Sequence, residues 1–363
     1  MKKAIPALLL ALALTLTGCA SMLERHSIAI SSYEPVDSSG SSSSSLRVEN
    51  YQELVNTILY LVTQGEEHGV LNLYNYTAQD VETDLTRACL EVVQEDPLGS
   101  YAVDYIKHDY SLIVSYYEVN IDITYRRTPE QVASIVSVTG SSAIRRELRK
   151  TLTSFAPEAV LRISYFAEDE DYILDLVRQA YYDAPAAALG MPEVAVALYP
   201  AEGRQRIVEI GLTYPDSPET LLQRSQELKQ LALELAGESA TAESLYRTVQ
   251  SGLTPEEGPG HSSAYAALVE GSADSEGAAL AYQLLCDQAK IECVVVLGER
   301  DAAPHFWNIV TVDGQESRHV DLSAGLFGVT DAELTEQGSY EWDRAEYPVC
   351  VSSALEAAKE NSN

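Results

Sequence analysis

The sequence has few basic residues. Its 363 residues include 24 lysines and arginines against 55 aspartates and glutamates, which gives a formal net charge of −31 at pH 7. A surface this acidic repels phosphate backbones and anionic lipid headgroups, so the charge balance excludes a nucleic-acid-binding protein. The acidic residues are spread along the chain rather than collected in one block, so solubility explains them better than an acidic binding tail.

Cysteine and histidine are also scarce. Among the five cysteines and six histidines, no cysteine pair has the spacing of metal ligands and the histidines do not cluster, so we expect neither a metal nor another cofactor. Cys89 and Cys293 have the pattern of core positions. Cys286 lies eleven residues past Ser275, about three helical turns along a predicted helix. Cys350 has no obvious partner, and the sequence leaves any disulfide pairing among these four open.

Long hydrophobic runs are absent except at the N-terminus. Lys2 and Lys3 precede an apolar stretch over residues 4–15, which is too short and too early to be a span of the mature protein. The next four residues, Leu16-Thr17-Gly18-Cys19, resemble the lipobox of bacterial lipoproteins. The resemblance implies cleavage after Gly18 and a diacylglyceryl group on Cys19, which would anchor the protein at the extracytoplasmic face of the cell membrane. The alternative is an ordinary signal peptide that is cut elsewhere.

Serine dominates the segment that follows. Residues 38–45 are almost entirely serine, a composition typical of a flexible tether. We therefore divide the chain into a signal peptide (1–18), the lipidated cysteine and tether (19–46), a first repeat (47–135), a second repeat (136–216), a linker helix with a C-terminal domain (217–350) and a tail (351–363).

The two repeats resemble each other at a spacing of about 90 residues. Residues 70–74 align with residues 160–164, and residues 119–125 align with residues 208–214. The shared order predicts a duplicated unit of helix, strand, helix and hairpin, with the helices on one face of a sheet. No histidine, cysteine or acidic cluster recurs in both repeats, so they are expected to bind a partner, to act as a spacer or to serve as plain scaffold.

A helix is predicted to link the repeats to the C-terminal domain. Ser217-Pro218-Glu219 provides an N-cap, a proline at the first helical position and an acid in the first turn. Leucines follow at helical spacing as far as Gly237.

The most informative stretch runs from Ala264 to Asp321. It contains Ala264-Tyr265-Ala266-Ala267-Leu268-Val269-Glu270-Gly271, a helical run from Ser275, then His305-Phe306-Trp307-Asn308 and finally Asp321. In this order the motifs resemble the core of bacterial transglutaminase-like proteins, over about residues 239–350. The resemblance implies a papain-like core in which positions 275, 305 and 321 hold the nucleophile, the base and the residue that orients the base.

Ser275 stands where that family has its nucleophilic cysteine. A thiol at a helix N-terminus beside an imidazole becomes a thiolate, whereas the pKa of an alcohol is too high for the same surroundings to ionise it. Ser275 followed by Glu276 is also an ordinary helix N-cap pattern. We therefore expect Ser275, His305 and Asp321 to form a degenerate triad. We expect Tyr265, Trp307 and Asn308 to line its cleft.

The expected fold class is α+β, with the duplicated N-terminal region followed by a transglutaminase-like core domain. The favoured function is a lipid-anchored surface protein whose C-terminal domain has lost catalysis and binds a peptide, a cell-wall polymer or a protein partner. An active hydrolase using Ser275, His305 and Asp321 is the alternative, and a pure scaffold is a third possibility. A hydrogen bond between the Ser275 hydroxyl and a ring nitrogen of His305, with Asp321 on the other nitrogen, would favour the hydrolase.

Overall fold

The computed structural model describes residues 45–77, 80–312 and 316–351. The predicted signal peptide, the lipidation site Cys19, nearly all of the tether and the tail beyond Val351 lie outside these residues. Of the predicted tether, Ser45 and Leu46 are described, and Leu46 already begins a strand. The last residue of the predicted tether, Leu46, is therefore part of a strand.

The first repeat is a sheet with helices on one face. Its elements are β1 (Leu46–Val48), α1 (Tyr51–Gln64), β2 (His68–Tyr74), α2 (Val81–Gln94), α3 (Pro97–Ala102), β3 (Val103–Ile113), β4 (Tyr116–Tyr125) and α4 (Pro129–Ala133). The strand order is β1-β2-β4-β3, with β1 parallel to β2 and the other neighbours antiparallel. In β4, Val119, Ile121 and Ile123 are buried while the residues between them are exposed, which is the predicted alternation.

The second repeat has the same topology. Its elements are β5 (Val136–Val138), α5 (Ser141–Thr153), β6 (Glu158–Ser164), α6 (Glu170–Tyr182), β7 (Glu193–Tyr199) and β8 (Gln205–Thr213). The strand order is β5-β6-β8-β7, again with one parallel pair, β5 and β6. Leu71 pairs with Val119 in the first sheet and Leu161 pairs with Val208 in the second, which is the correspondence that the sequence alignment gives. Both halves contain the predicted helix, strand, helix and hairpin in that order.

The remaining chain forms a third sheet and its covering helices. The elements are α7 (Pro218–Ala236), α8 (Ala242–Gly252), β9 (Thr254–Pro255), a π-helical turn (Ala266–Glu270), β10 (Ser272–Ala273), α9 (Ser275–Ala289), β11 (Cys293–Arg300), β12 (Ala303–Val312), β13 (Glu316–Asp321), β14 (Leu326–Val329), α10 (Asp331–Glu336) and β15 (Tyr340–Trp342). The sheet is antiparallel, in the order β14-β13-β12-β11-β15. As predicted, Ser217 caps α7 and Pro218 opens it.

The most enclosed helix is α9. Every residue from Gly277 to Cys286 is buried, because α9 contacts β11 and β12 of the third sheet as well as α7 and α8. A helix that is apolar around its whole circumference belongs in a core. Its position fixes the N-terminal end of α9 beside the strands that carry His305 and Asp321.

The second repeat and the C-terminal part share one hydrophobic core. Ile144, Val208, Leu228, Leu284 and Val310 belong to a single continuous cluster of buried residues. The predicted boundary between residues 216 and 217 is therefore a change of topology and not a break in the packing. Among the described helices, none is long and apolar enough to span a membrane.

Candidate functional site

The start of α9 carries Ser275. Asp274 is the N-cap, and its side chain accepts a hydrogen bond from the Gly277 amide at 2.9 Å. Ser275 is therefore the first helical residue and not the cap that the Ser-Glu pattern suggested. The first N–H groups of an α-helix have no intrahelical partners, so this end of α9 presents hydrogen-bond donors and a partial positive charge.

Gly277 allows the start of α9 to lie against the preceding loop. A Cβ atom at this position would lie 2.4 Å from the His261 carbonyl oxygen and 2.9 Å from the Ser263 amide nitrogen. The Asp274 amide donates to the His261 carbonyl at 3.2 Å, and the Ser262 hydroxyl donates to the Asp274 carboxylate. These contacts hold the helix start in one position.

His305 and Asp321 form a buried hydrogen-bonded pair across β12 and β13. His305 Nε2 lies 2.7 Å from Asp321 Oδ2, and the side chains are 12% and 2% exposed. Tyr340 also donates to Oδ2, at 2.8 Å, while the Ser323 hydroxyl and the Ala324 amide donate to Oδ1 at 2.7 and 3.0 Å. Both carboxylate oxygens are thus engaged by donors.

These donors set the charge of Asp321. Burial by itself raises the pKa of this carboxyl, but the hydrogen bonds from His305, Ser323 and Tyr340 outweigh burial, and the pKa lies below its ordinary value. An ionised carboxylate only accepts, so His305 Nε2 carries the proton of that hydrogen bond. With Nε2 turned to Asp321, Nδ1 is the ring nitrogen left to accept a proton, which is the arrangement of a general base held by an orienting residue.

Ser275 does not engage this base. Its Oγ accepts a long hydrogen bond, 3.4 Å, from the Phe306 amide, and within the described residues no hydrogen bond joins it to either nitrogen of His305. The structure therefore brings the three predicted residues to one place and forms the base–orienter contact but not the nucleophile–base contact. In this arrangement no histidine nitrogen is positioned to take the proton of the Ser275 hydroxyl.

The second repeat supplies part of the site wall, which the sequence did not reveal. Tyr182, the last residue of α6, donates a hydrogen bond to Glu276 Oε1 at 2.9 Å, and its ring centroid lies 5.8 Å from that of Phe306. Burial raises the pKa of Glu276 to about 7, and the nearby Asp274 carboxylate adds to the shift although the Tyr182 hydrogen bond opposes it. A carboxyl group that changes charge near neutral pH thus follows Ser275 directly.

Two of the three expected cleft residues are buried. Trp307 and Asn308 are 1% and 0% exposed, so the expectation that they line an open cleft was wrong. Asn308 faces α9 and donates to the Ala279 carbonyl at 3.0 Å. Tyr265 is half-buried against α7, where its hydroxyl donates to Glu227 at 3.2 Å, and it has no contact with the triad positions in the part of the chain that the structure describes.

A polar cluster lies under the third sheet. His319, Asp331 and Cys350 place their ligand-type atoms within 4.8 Å of one another. Trp307 Nε1 donates to His319 Nδ1 at 3.0 Å, so the ring proton lies on Nε2, which donates to Asp331 at 2.8 Å. A cation on Nε2 would displace that proton and leave an imidazolate, and burial raises the pKa of the Cys350 thiol to about 12. These hydrogen bonds fit a structural network better than a metal site.

Comparisons with known proteins give weak similarities. No protein-family model matches the sequence, and no curated protein is similar to it. The chain is similar to a solved transglutaminase (TGase) with a TM-score of 0.28 and 12% identity, over 66% of this chain and 74% of that one. It is similar to a candidate protease from Parabacteroides distasonis with a TM-score of 0.23 and 11% identity, over 58% of this chain and 47% of that one. At these TM-scores neither similarity establishes a shared fold.

Proposed function

We propose that this protein is a lipid-anchored surface protein whose C-terminal domain has a transglutaminase-like fold and binds a peptide ligand without reacting with it. The order of the motifs between Ala264 and Asp321 supports the family assignment. The His305–Asp321 pair supports it further, since it occupies the positions of the base and its orienting residue. The lipobox at Cys19 supports the anchor.

The missing contact between Ser275 and His305 carries the proposal. An alcohol becomes a nucleophile only when a base removes its proton as it attacks, and this base does not touch the hydroxyl. The Ser275 oxygen is instead the acceptor for a backbone amide, that of Phe306. The site thus has groups that can bind a ligand, but it lacks the contact between hydroxyl and base that catalysis would use.

The remaining groups complement a peptide bond. A peptide unit offers one N–H donor and one C=O acceptor. The free Nδ1 of His305 accepts a donor, and the start of α9 supplies N–H groups for a carbonyl oxygen. A peptide, including the peptide part of a cell-wall polymer or an exposed segment of a protein partner, therefore matches the site.

A binding experiment with cell-wall peptides tests this proposal. Soluble peptides from an enzymatic digest of peptidoglycan would be incubated with the protein and followed by calorimetry and mass spectrometry. We expect saturable binding, unchanged peptide masses and weaker binding by His305→Ala. His68→Ala, at an exposed histidine of the first repeat, is the control and should bind like the parent. Cleavage of the peptides, or equal binding by the His305 variant, would refute the proposal.

The complete His305–Asp321 pair favours a second candidate, a serine hydrolase. A ligand-induced shift of α9 could bring the Ser275 hydroxyl onto Nδ1, as catalytic contacts often tighten on substrate binding. Hydrolysis of ester or amide substrates by the parent, lost in both Ser275→Ala and His305→Ala, would establish this activity and displace the binding function.

A further inference from the structure

A groove of about 790 Å³ lies away from the Ser275 site. Its walls come from α5, the loop after α6, α7 and the C-terminal half of α9, and its lining includes none of the triad positions. A volume of this size is typical of a small-ligand site. The basic residues among its lining side chains are Arg146, Arg149, Lys150 and Lys229.

Basic residues outnumber acidic ones in the lining of the groove, unlike in the chain as a whole. Acidic residues outnumber basic ones 55 to 24 in the whole sequence, but here the basic residues face only Glu147, Asp183 and Asp287 as acidic lining residues. Asp183 is already neutralised by the neighbouring Arg145, whose guanidinium reaches both carboxylate oxygens. The side chains that line the groove therefore carry an excess of positive charge.

Part of that positive charge has no partner within the protein. Within the described ranges Arg146 and Lys229 form no ion pair and no hydrogen bond. Arg149 forms no hydrogen bond there either, but it lies near Asp287: burial raises the pKa of that carboxyl to about 6, and the charge of Arg149 opposes the shift. Arg146 and Arg149 are three residues apart on α5, so they lie side by side on one helix face. Lys229 stands on the other wall, on α7. A ligand between these walls would meet cations from two sides.

The floor of the groove is formed by apolar, buried side chains. Ala184, Ala186 and Ala187 are 8%, 8% and 7% exposed, and Leu284 is 2% exposed. Such a floor offers no hydrogen bonds that would compete for the cations. It also lowers the local dielectric constant, which strengthens their attraction for an anion.

We propose that this groove binds a soluble chain that carries more than one phosphate group. Guanidinium groups match phosphate oxygens with paired hydrogen bonds, and a terminal phosphate brings more charge and more acceptor oxygens than a carboxylate does. Cations on two walls match a ligand with phosphates at two points. Asp183 and Glu147 already have basic partners in the protein, so Asp287 is the acidic lining residue whose replacement should strengthen binding.

Calorimetry with tripolyphosphate at physiological ionic strength tests the proposal on the full chain. We expect saturable binding at one site, weakened at least tenfold in Arg146→Glu/Arg149→Glu and in Lys229→Glu. Asp287→Asn should tighten binding severalfold. Arg204→Glu makes the same change of charge as Lys229→Glu, at an exposed arginine between β7 and β8, and it should bind like the parent.

Three results would overturn the proposal. Citrate binding as tightly as tripolyphosphate would show that total charge, and not phosphate, is recognised. Equal weakening by Arg204→Glu would show that no particular groove is involved. Binding of phosphatidylglycerol vesicles that is lost with the groove variants, without binding of tripolyphosphate, would assign the groove to a membrane surface instead of a soluble chain. Unchanged thermal unfolding of each variant would show that the charges and not the fold were altered.

Discussion

Glu276 is the titratable residue next to Ser275. Burial raises its pKa from 4.5 to about 7. Between these two pH values the folded protein holds a proton that the unfolded chain has released. The free energy of unfolding must therefore fall as the pH rises through this window, because the unfolded state binds fewer protons.

Glu276→Gln should remove this contribution. The parent is expected to lose roughly 2 kcal/mol of stability between about pH 4.5 and pH 7 through this group, and the variant should lack that loss because glutamine does not ionise. Urea unfolding at a series of pH values measures the difference. Glu270→Gln, at an exposed acid, is the control. Parallel pH profiles for the parent and Glu276→Gln would contradict the prediction.

The sequence predicted some site residues and missed others for a physical reason. The spacing of Ser275, His305 and Asp321 brought them to one place, because a helix start and two neighbouring strands fix their positions locally. Trp307 was misplaced because β15 covers it, and the pairing of Trp342 with Gly298 is a long-range contact. Tyr182 belongs to the second repeat, far from Ser275 in sequence. No local sequence pattern predicts such a contact.

At the scale of elements, the close approach of α9 to the 261–263 loop determines the geometry of the site. The loop carbonyl and amide groups occupy the space that a side chain at Gly277 would need. Overpacking of this kind forces the backbone to move, since neither contact is with the end of a flexible side chain.

Gly277→Ala should therefore destabilise the protein by about 1–3 kcal/mol and displace the helix start. The matched control is Gly252→Ala at the end of α8, where an added Cβ meets no atom within 4 Å. Chemical denaturation of both variants gives the comparison. Equal stability of the Gly277 variant and the parent would mean that the helix start is not held as described.

The helices and strands that have local sequence signals were predicted. The alternation of apolar and polar residues predicted β4, and the N-cap with the proline that follows it predicted α7. The leading strands β1 and β5 were not predicted, because three residues are too few to show a period and their parallel pairing to β2 and β6 closes only in the folded chain. The short helix α3, absent from the second repeat, was missed as well.

At the scale of the whole molecule, two parts that we separated in the sequence, the second repeat and the C-terminal part, pack together. The core of the second repeat runs into the C-terminal part, so the repeat positions the site through Tyr182 instead of acting as a separate spacer. The net charge of the chain also did not indicate the basic groove. The basic residues of that groove are far apart in sequence and meet only in the folded chain.

The proposed anchor makes a prediction about the whole protein. Cys19→Ala should abolish lipid attachment, so the variant should be released from membranes or remain unprocessed. Fractionation of cells, with the size of the protein followed on a gel, measures both outcomes. A variant that stays in the membrane at the processed size would refute the lipoprotein interpretation.

The central claim is that the site retains its base and helix end and lacks only a nucleophile, and Ser275→Cys tests it most directly. The helix end and His305 should lower the pKa of the new thiol from about 8.5 by several units. The four native cysteines of the described chain are buried, and burial raises the pKa of Cys89 and Cys350 to about 12. The introduced thiol should therefore react with iodoacetamide first.

The measurement is the alkylation rate at position 275 against pH, read by peptide mass spectrometry. We expect a rate near neutral pH at least tenfold above that of any native buried cysteine, and a drop when His305→Ala is added. Ser141→Cys places a thiol at the first residue of α5, a helix start without a histidine partner, and it should need a higher pH to react. A thiol at position 275 that reacts no faster than the buried cysteines, or that is indifferent to His305, would contradict the account.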